Sequence, residues 1–138
     1  MLLVVDTNII VSAIKSPSKY DDNGNRILTK PQMLIRDILE GKHTIVVSKA
    51  IMKEYEDVLH RPLLALNEIL VELFLSAIKL KAIWIEPLAT TSDQIKMIDE
   101  SDRIFFDVAR CMNIKLISGN LRHFPVHELR SGVDELYS

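Results

Sequence analysis

Leu2-Leu3-Val4-Val5 sets four apolar residues in succession with no polar position among them, and a strand of that kind has no face to offer water. Such strands belong to parallel sheets covered by helices, because a sheet with one wet face alternates apolar and polar residues instead. Thr44–Val47 repeats the pattern, and Ala82–Glu86 and Ile114–Ser118 are further short strand candidates. The segments between them have helical spacing. Asn8–Lys15 carries Ile9, Ile10, Ala13 and Ile14 on that spacing, with Thr7 placed to cap it and Pro17 to stop it. Pro31–Glu40 has its proline in the first turn and Gly41 at its end, and Ser48 caps a helix that runs to about His60. Another helix spans about Leu66 to Lys79, and Ser101 caps one from Asp102 to about Met112. Strands alternating with helices imply βαβ units, hence an α/β fold with a mostly parallel central sheet of four to five strands and helices on both faces. Ligands of open sheets of this type bind outside the carboxyl ends of the strands, where the strand order reverses.

The 138 residues suit one domain spanning 1–138, and 48% apolar against 26% charged residues supplies a substantial aliphatic core. Ser16–Lys30 is the markedly polar stretch, a flexible excursion or a small hairpin turned at its Asn-Gly step, and it leaves from the edge of the expected site. The tail from Val126 has no decisive pattern. Cys111 is the single cysteine, so no internal disulfide or multi-thiolate metal site is available, and a reduced cytoplasm is the economical compartment. Any metal would take oxygen or histidine ligands. No apolar run approaches the roughly 20 residues of a membrane helix, so no membrane partner is expected. Seventeen basic and nineteen acidic residues leave a formal charge of −2, so nucleic acid could be attracted only by a local basic patch.

Several acids occupy telling positions. Asp6 closes the first strand with Asn8 two residues on; it is either a functional acid or the cap of the helix that follows. Glu54 falls between Ala50, Ile51 and Val58 on the apolar stripe of its helix. A carboxylate there costs several kcal/mol unless paired or metal-bound, the ordinary alternative being a stripe-edge position paired with a lysine. Glu56 and Asp57 have less apolar surroundings. Asp102 opens its helix at the positive end of the dipole, on a face shared with Phe105, Phe106 and Ala109, and could simply stabilise its own helix. Asp107, roughly 140° further round, has Arg103 and Arg110 as candidate surface partners. His123, beside Arg122 and Phe124, suits a phosphate or a metal-bound water, or is an ordinary loop residue. Cys111 reads as a core residue, and His43, His60 and His127 show no ligand spacing. Phosphate-binding glycine loops, dinucleotide fingerprints and nucleophile elbows are absent from the sequence.

Taken in order, Val4-Val5-Asp6-Thr7-Asn8, Ser48 with Glu54-Tyr55-Glu56-Asp57-Val58-Leu59, Asp102-Arg103-Ile104-Phe105-Phe106-Asp107-Val108-Ala109, and Leu116-Ile117-Ser118-Gly119-Asn120 with His123-Phe124-Pro125 resemble the PIN domain along nearly the whole chain. The closing segment is similar to the subgroup that acts as toxin components of toxin–antitoxin pairs. The resemblance implies a three-layer α/β/α sandwich and an endoribonuclease that cuts RNA to leave a 5′-phosphate and a 3′-hydroxyl. It further implies a cytoplasmic homodimer with a cognate antitoxin protein as partner. Asp6, Glu54 and Asp102 would be catalytic and hold the metal, Asn8 would orient Asp6 or substrate, and Asp107 is a further candidate ligand. Many family members carry a fourth acid in the last loop, where this chain offers Asn120 and His123; these two with Arg122 are the substrate-binding candidates. Carboxylates gathered without a cation repel one another, and a hard divalent ion, Mg²⁺ or Mn²⁺, relieves the repulsion. The alternative function is a catalytically degenerate PIN-like domain that binds RNA or protein. A phosphatase of the haloacid-dehalogenase type is disfavoured, since it needs a second acid where this chain has Asn8.

Overall fold

The structure is a computed structural model that describes residues 1–91, 94–97, 99–119 and 130–137. Along the chain it forms β1 (Leu2–Val5), α1 (Thr7–Lys15), β2 (Lys19–Tyr20), β3 (Arg26–Ile27), α2 (Lys30–Leu39), β4 (Thr44–Val47), α3 (Lys49–Leu59), α4 (Glu68–Lys81), β5 (Ile83–Trp84), α5 (Arg103–Met112), β6 (Lys115–Ile117), β7 (Arg130–Ser131) and α6 (Val133–Leu136). Short 3₁₀ turns at Pro62–Leu64 and Glu100–Asp102 precede α4 and α5.

Five of these strands make one sheet in the order β5-β4-β1-β6-β7, every neighbouring pair parallel and the sheet flanked by helices. The all-apolar runs take the middle: Leu3, Val4 and Val5 of β1 and Ile45, Val46 and Val47 of β4 have no exposed surface, as strands covered on both faces require. The third strand is shorter than the expected Ala82–Glu86 because β5 is an edge strand, with Ile83 and Trp84 exposed and only β4 to pair with. The chain steps outward from β1 to β4 and β5, then returns to the other side of β1 for β6 and β7. The strand order therefore reverses between β1 and β6, which puts the ligand-binding crevice outside their carboxyl ends. The register Val4↔Leu116 and Val5↔Ile117 carries on to set Asp6 beside Ser118 at that edge.

The polar excursion is a hairpin. β2 and β3 pair antiparallel with every residue exposed, and Asp21 organises the turn by accepting from the amides of Asn23 and Asn25 at 2.9 and 2.8 Å. Gly24 takes φ +80°, the left-handed conformation that the Asn-Gly step supplies. Gln32 pins both ends of the excursion. Its Oε1 accepts from the Thr29 amide at 3.0 Å, while its Nε2 donates to the carbonyls of Ala13 and Ser16 at 3.3 and 3.2 Å. One buried side chain thus completes the capping box of α2 and satisfies carbonyls at the end of α1.

The tail also acquires structure. β7 extends the sheet, and α6 docks on α2 where the Tyr137 hydroxyl donates to Asp37 Oδ2 at 2.6 Å. That hydroxyl and the Arg36 guanidinium hold the Asp37 carboxyl below its usual range. Replacing Gln32 by alanine strands the Ala13 and Ser16 carbonyls and opens the capping box. Gln32→Ala is expected to lower unfolding free energy by about 1–2 kcal/mol in urea titration.

A candidate active site at the carboxyl ends of β1 and β6

Asp6 occupies the N-cap position of α1 with extended backbone, where an aspartate would ordinarily accept from the first-turn amides, yet it makes no side-chain cap. Its Oδ2 instead accepts from Ser118 Oγ at 2.7 Å, across the point where the strand order reverses. Asp6 is 4% exposed and Ser118 1%, so this charge-assisted bond is made out of water. The expected cap from Thr7 is also corrected. Thr7 already lies inside the helix, and its buried Oγ1 has no hydrogen-bond partner among the described residues.

Tyr55 ties the helix bearing Glu54 to the same edge. Fully buried, it donates its hydroxyl to the carbonyl of Val5, the residue before Asp6, at 2.6 Å. Its ring lies 6.1 Å from that of Phe105 on α5. Burial, and then the charge of Asp6, push the Tyr55 phenol well above its ordinary range. Ser48 caps α3 through its hydroxyl, which accepts from the Ile51 amide at 3.1 Å. Glu54 is half-buried beside the apolar seam formed by Ile51, Met52, Tyr55, Val58 and Leu59. The lysine pair that would make it an ordinary surface acid is missing among the described residues. Lys53 pairs with Asp57 and Lys79 with Glu56.

Asp102 is the third expected acid. It is half-buried at the N-cap position of α5 and, like Asp6, its carboxylate is not spent on capping that helix. Ser101 is not the cap either, because a 3₁₀ turn precedes α5 and shifts the capping role upstream. Asp99 Oδ1 accepts from the Ser101 amide and hydroxyl at 3.0 and 2.7 Å.

Asp107 and Arg103 depart further from expectation. Asp107 is buried rather than a surface acid, and both its oxygens accept from Thr90, from Oγ1 at 2.5 Å and from the amide at 3.2 Å. Arg103, expected as a surface partner of Asp107, is buried as well. Its guanidinium donates to Glu100, to Thr90 Oγ1 at 2.8 Å, to the Thr91 carbonyl at 3.3 Å and to the Ile95 carbonyl at 2.7 Å. Arg103, Thr90 and Asp107 together clamp the segment before α5, so their sequence spacing on the helix misrepresented them as solvent pairs. Cys111 is exposed, not part of the core, and Asn8 is exposed beside Asp6. Asn120, Arg122 and His123 lie outside the described residues.

The structure thus brings Asp6 to the crevice and places Glu54 and Asp102 on two helices joined through Tyr55 and Phe105. Among the described residues no three His, Cys, Asp or Glu side chains are grouped closely enough to hold a metal ion. The donor chemistry of the three acids is oxygen only and suits a hard divalent cation. Ser118 and Tyr55 are the residues whose roles the sequence did not reveal. The signal for Ser118 was its place at the end of an apolar strand, the same place that marked Asp6.

Residues 2–122 match the PIN domain family model, and the chain belongs to that family. PIN domains are generally nucleases, so membership supports a nuclease and hydrolase role. No curated protein and no solved structure matches the chain significantly. No helix among the described residues is long and apolar enough to cross a membrane.

The buried phenol gives a pH signature. Tyr55 has a folded pKa above its unfolded value of 10.0, so its contribution to stability is intact below pH 10.0 and is lost as pH rises from there through the folded pKa. Tyr55→Phe should lose about 1–2 kcal/mol near neutrality, from the unpaired Val5 carbonyl, but fall less steeply with alkali than the wild type. Urea unfolding at several pH values measures both slopes.

Proposed function

We propose that this protein is a divalent-metal-dependent endoribonuclease that hydrolyses RNA phosphodiester bonds. The observation that carries the reading is the Asp6 carboxylate, withheld from capping its own helix and held by Ser118 at the strand-order reversal. Membership of a nuclease family supports it. Asp6, Glu54 and Asp102 are the residues that would hold Mg²⁺ or Mn²⁺, with Asn8 available to orient substrate. When bound, the cation supplies Lewis acidity toward the phosphate and lowers the pKa of bound water.

The chain's own groups do the positioning. Ser118 fixes one oxygen of Asp6 and so aims the other, Tyr55 holds α3 against the end of β1, and the Arg103 clamp sets where α5 begins. Asp107 is committed to Thr90, so in this reading it acts through the clamp rather than as a ligand. Phosphate contacts fall to exposed cations such as Arg110 and, on the hairpin, Lys19 and Arg26 beside the exposed Tyr20. RNA as the substrate, an antitoxin partner, a role as a toxin and a cytoplasmic place are parts of the same proposal, and they rest on the resemblance of the closing segment.

The second reading, a PIN-like module that binds without cutting, draws on the absence of a preformed group of three acids among the described residues. Metal response separates the two. Cation binding to the folded acids removes repulsion that the unfolded chain lacks, so Mn²⁺ should raise the Tm of the wild type. Asp6→Asn should be more stable than wild type without metal, gain less on adding it, and fail to cut. Mn²⁺-dependent fragments ending in 5′-phosphate, lost in Asp6→Asn, are the expected outcome on single-stranded RNA. An identical metal response in both proteins would remove Asp6 from the site, and no cleavage of any RNA despite metal binding would favour the binding module.

A further inference from the structure

The β2–β3 hairpin is ordered without contributing to the core. All of its strand residues are exposed, and neither Tyr20, at 64%, nor Ile27, at 51%, is among the residues packed on the buried cluster. A two-stranded hairpin is marginal in water on its own. This one is held at its turn, where Asp21 accepts from the amides of Asn23, Gly24 and Asn25 and returns its own amide to the Asn25 carbonyl. At its base it is held by Gln32. The fold thus commits polar contacts to displaying side chains that it does not bury.

The register decides which of them are displayed together. Tyr20 stands directly opposite Arg26, so a phenol ring and a guanidinium share one face, while Lys19 and Ile27 share the other. Lys15, Lys19 and Arg26 have no ion pair among the described residues, and Lys30 pairs with Asp134. Residues 15–30 set these four cations against Asp21 and Asp22, a formal +2 on a chain of −2, which leaves −4 on the remainder. An exposed ring beside unpaired cations, on the positive part of an acidic protein, matches one ligand chemistry: an unpaired base that can stack, joined to phosphates that need cations.

We propose that the hairpin is an accessory arm that binds single-stranded RNA, a base stacking on Tyr20 and the adjoining phosphate meeting Arg26. Lys15 and Lys19 add attraction from outside that face. The inference rests on RNA as the substrate. Ser16, held at the base of the arm by Gln32, lies ten residues along from Asp6, about 15 Å at the helical rise. The arm therefore acts on affinity for RNA long enough to reach it and not on the chemistry at Asp6.

Fluorescence anisotropy with the full chain in EDTA reads binding without cleavage; the probe is a labelled, unstructured RNA about 20 nucleotides long. Tyr20→Ala should weaken binding roughly ten-fold at unchanged Tm, and Tyr20→Phe should bind as wild type does. Arg26→Ala should reduce the log–log salt slope by about 0.7. The same RNA in a duplex should compete poorly, since its bases are not free to stack. In Mn²⁺, Tyr20→Ala should raise KM for this RNA at unchanged kcat. A wild type that does not bind the RNA, wild-type affinity and salt slope in both alanine variants, or equal competition by the duplex overturns the arm and leaves the cleavage reading to its own test. Binding that depends on Tyr20 without any cleavage in Mn²⁺ supports the arm and counts against the nuclease reading alone.

Discussion

The buried hydrogen bond from the Tyr55 hydroxyl to the Val5 carbonyl fixes how the candidate site can be built. Val5 is the last residue of the central strand, and its carbonyl precedes Asp6, so this 2.6 Å bond seats α3 against the end of the strand that carries the acid. Neither group has water as an alternative partner, since Tyr55 and Val5 are fully buried. Leaving either unpaired would cost about 1–3 kcal/mol, so the bond specifies one placement of the helix and not a family of placements. The Phe105 ring against Tyr55 passes that placement on to α5. Three elements that carry acids, far apart in sequence, are therefore registered to one another by a single side chain.

Much of the architecture was legible because burial writes itself into the sequence. Strands with no polar face forced the parallel sheet, and the helices between them began near the expected caps at Ser48 and stopped near Pro17 and Gly41. What failed were polar residues whose partners lie far along the chain or beyond a local irregularity. Ser101 has the composition of a cap, but the 3₁₀ turn at Glu100–Asp102 hands that role to Asp99. Asp107 has arginines at helical spacing, yet Thr90, seventeen residues away, takes both of its oxygens. Ser118 is bonded to Asp6 at a separation of 112 residues. Helical periodicity tells which face a residue occupies, and it carries no information on which loop covers that face.

The acids divide by what their oxygens already do. Asp21 is consumed by its turn, Asp37 by Tyr137 and Arg36, and Glu100 by Arg103. These carboxylates have their charge answered within the fold and add rigidity. Glu54 differs: it is half-buried, next to the residue that anchors α3, without a hydrogen bond or ion pair among the described residues. Asp6 and Asp102 stand at helix starts without capping them. Each is therefore turned to something other than the start of its own helix, and for Asp6 that includes the Ser118 hydroxyl across the strand-order reversal.

The same reasoning explains why an arginine next to Asp102 is buried. A cation free to swing at this position would pair with the neighbouring acids and answer their charge. Arg103 is instead held by Glu100, Thr90 and the carbonyls of Thr91 and Ile95. Because those partners are mostly neutral oxygens, the guanidinium cannot leave without stranding them, and that cost keeps it off the acids. Confining the cation here protects the negative character of the site and, in the same contacts, fixes the segment that leads into α5.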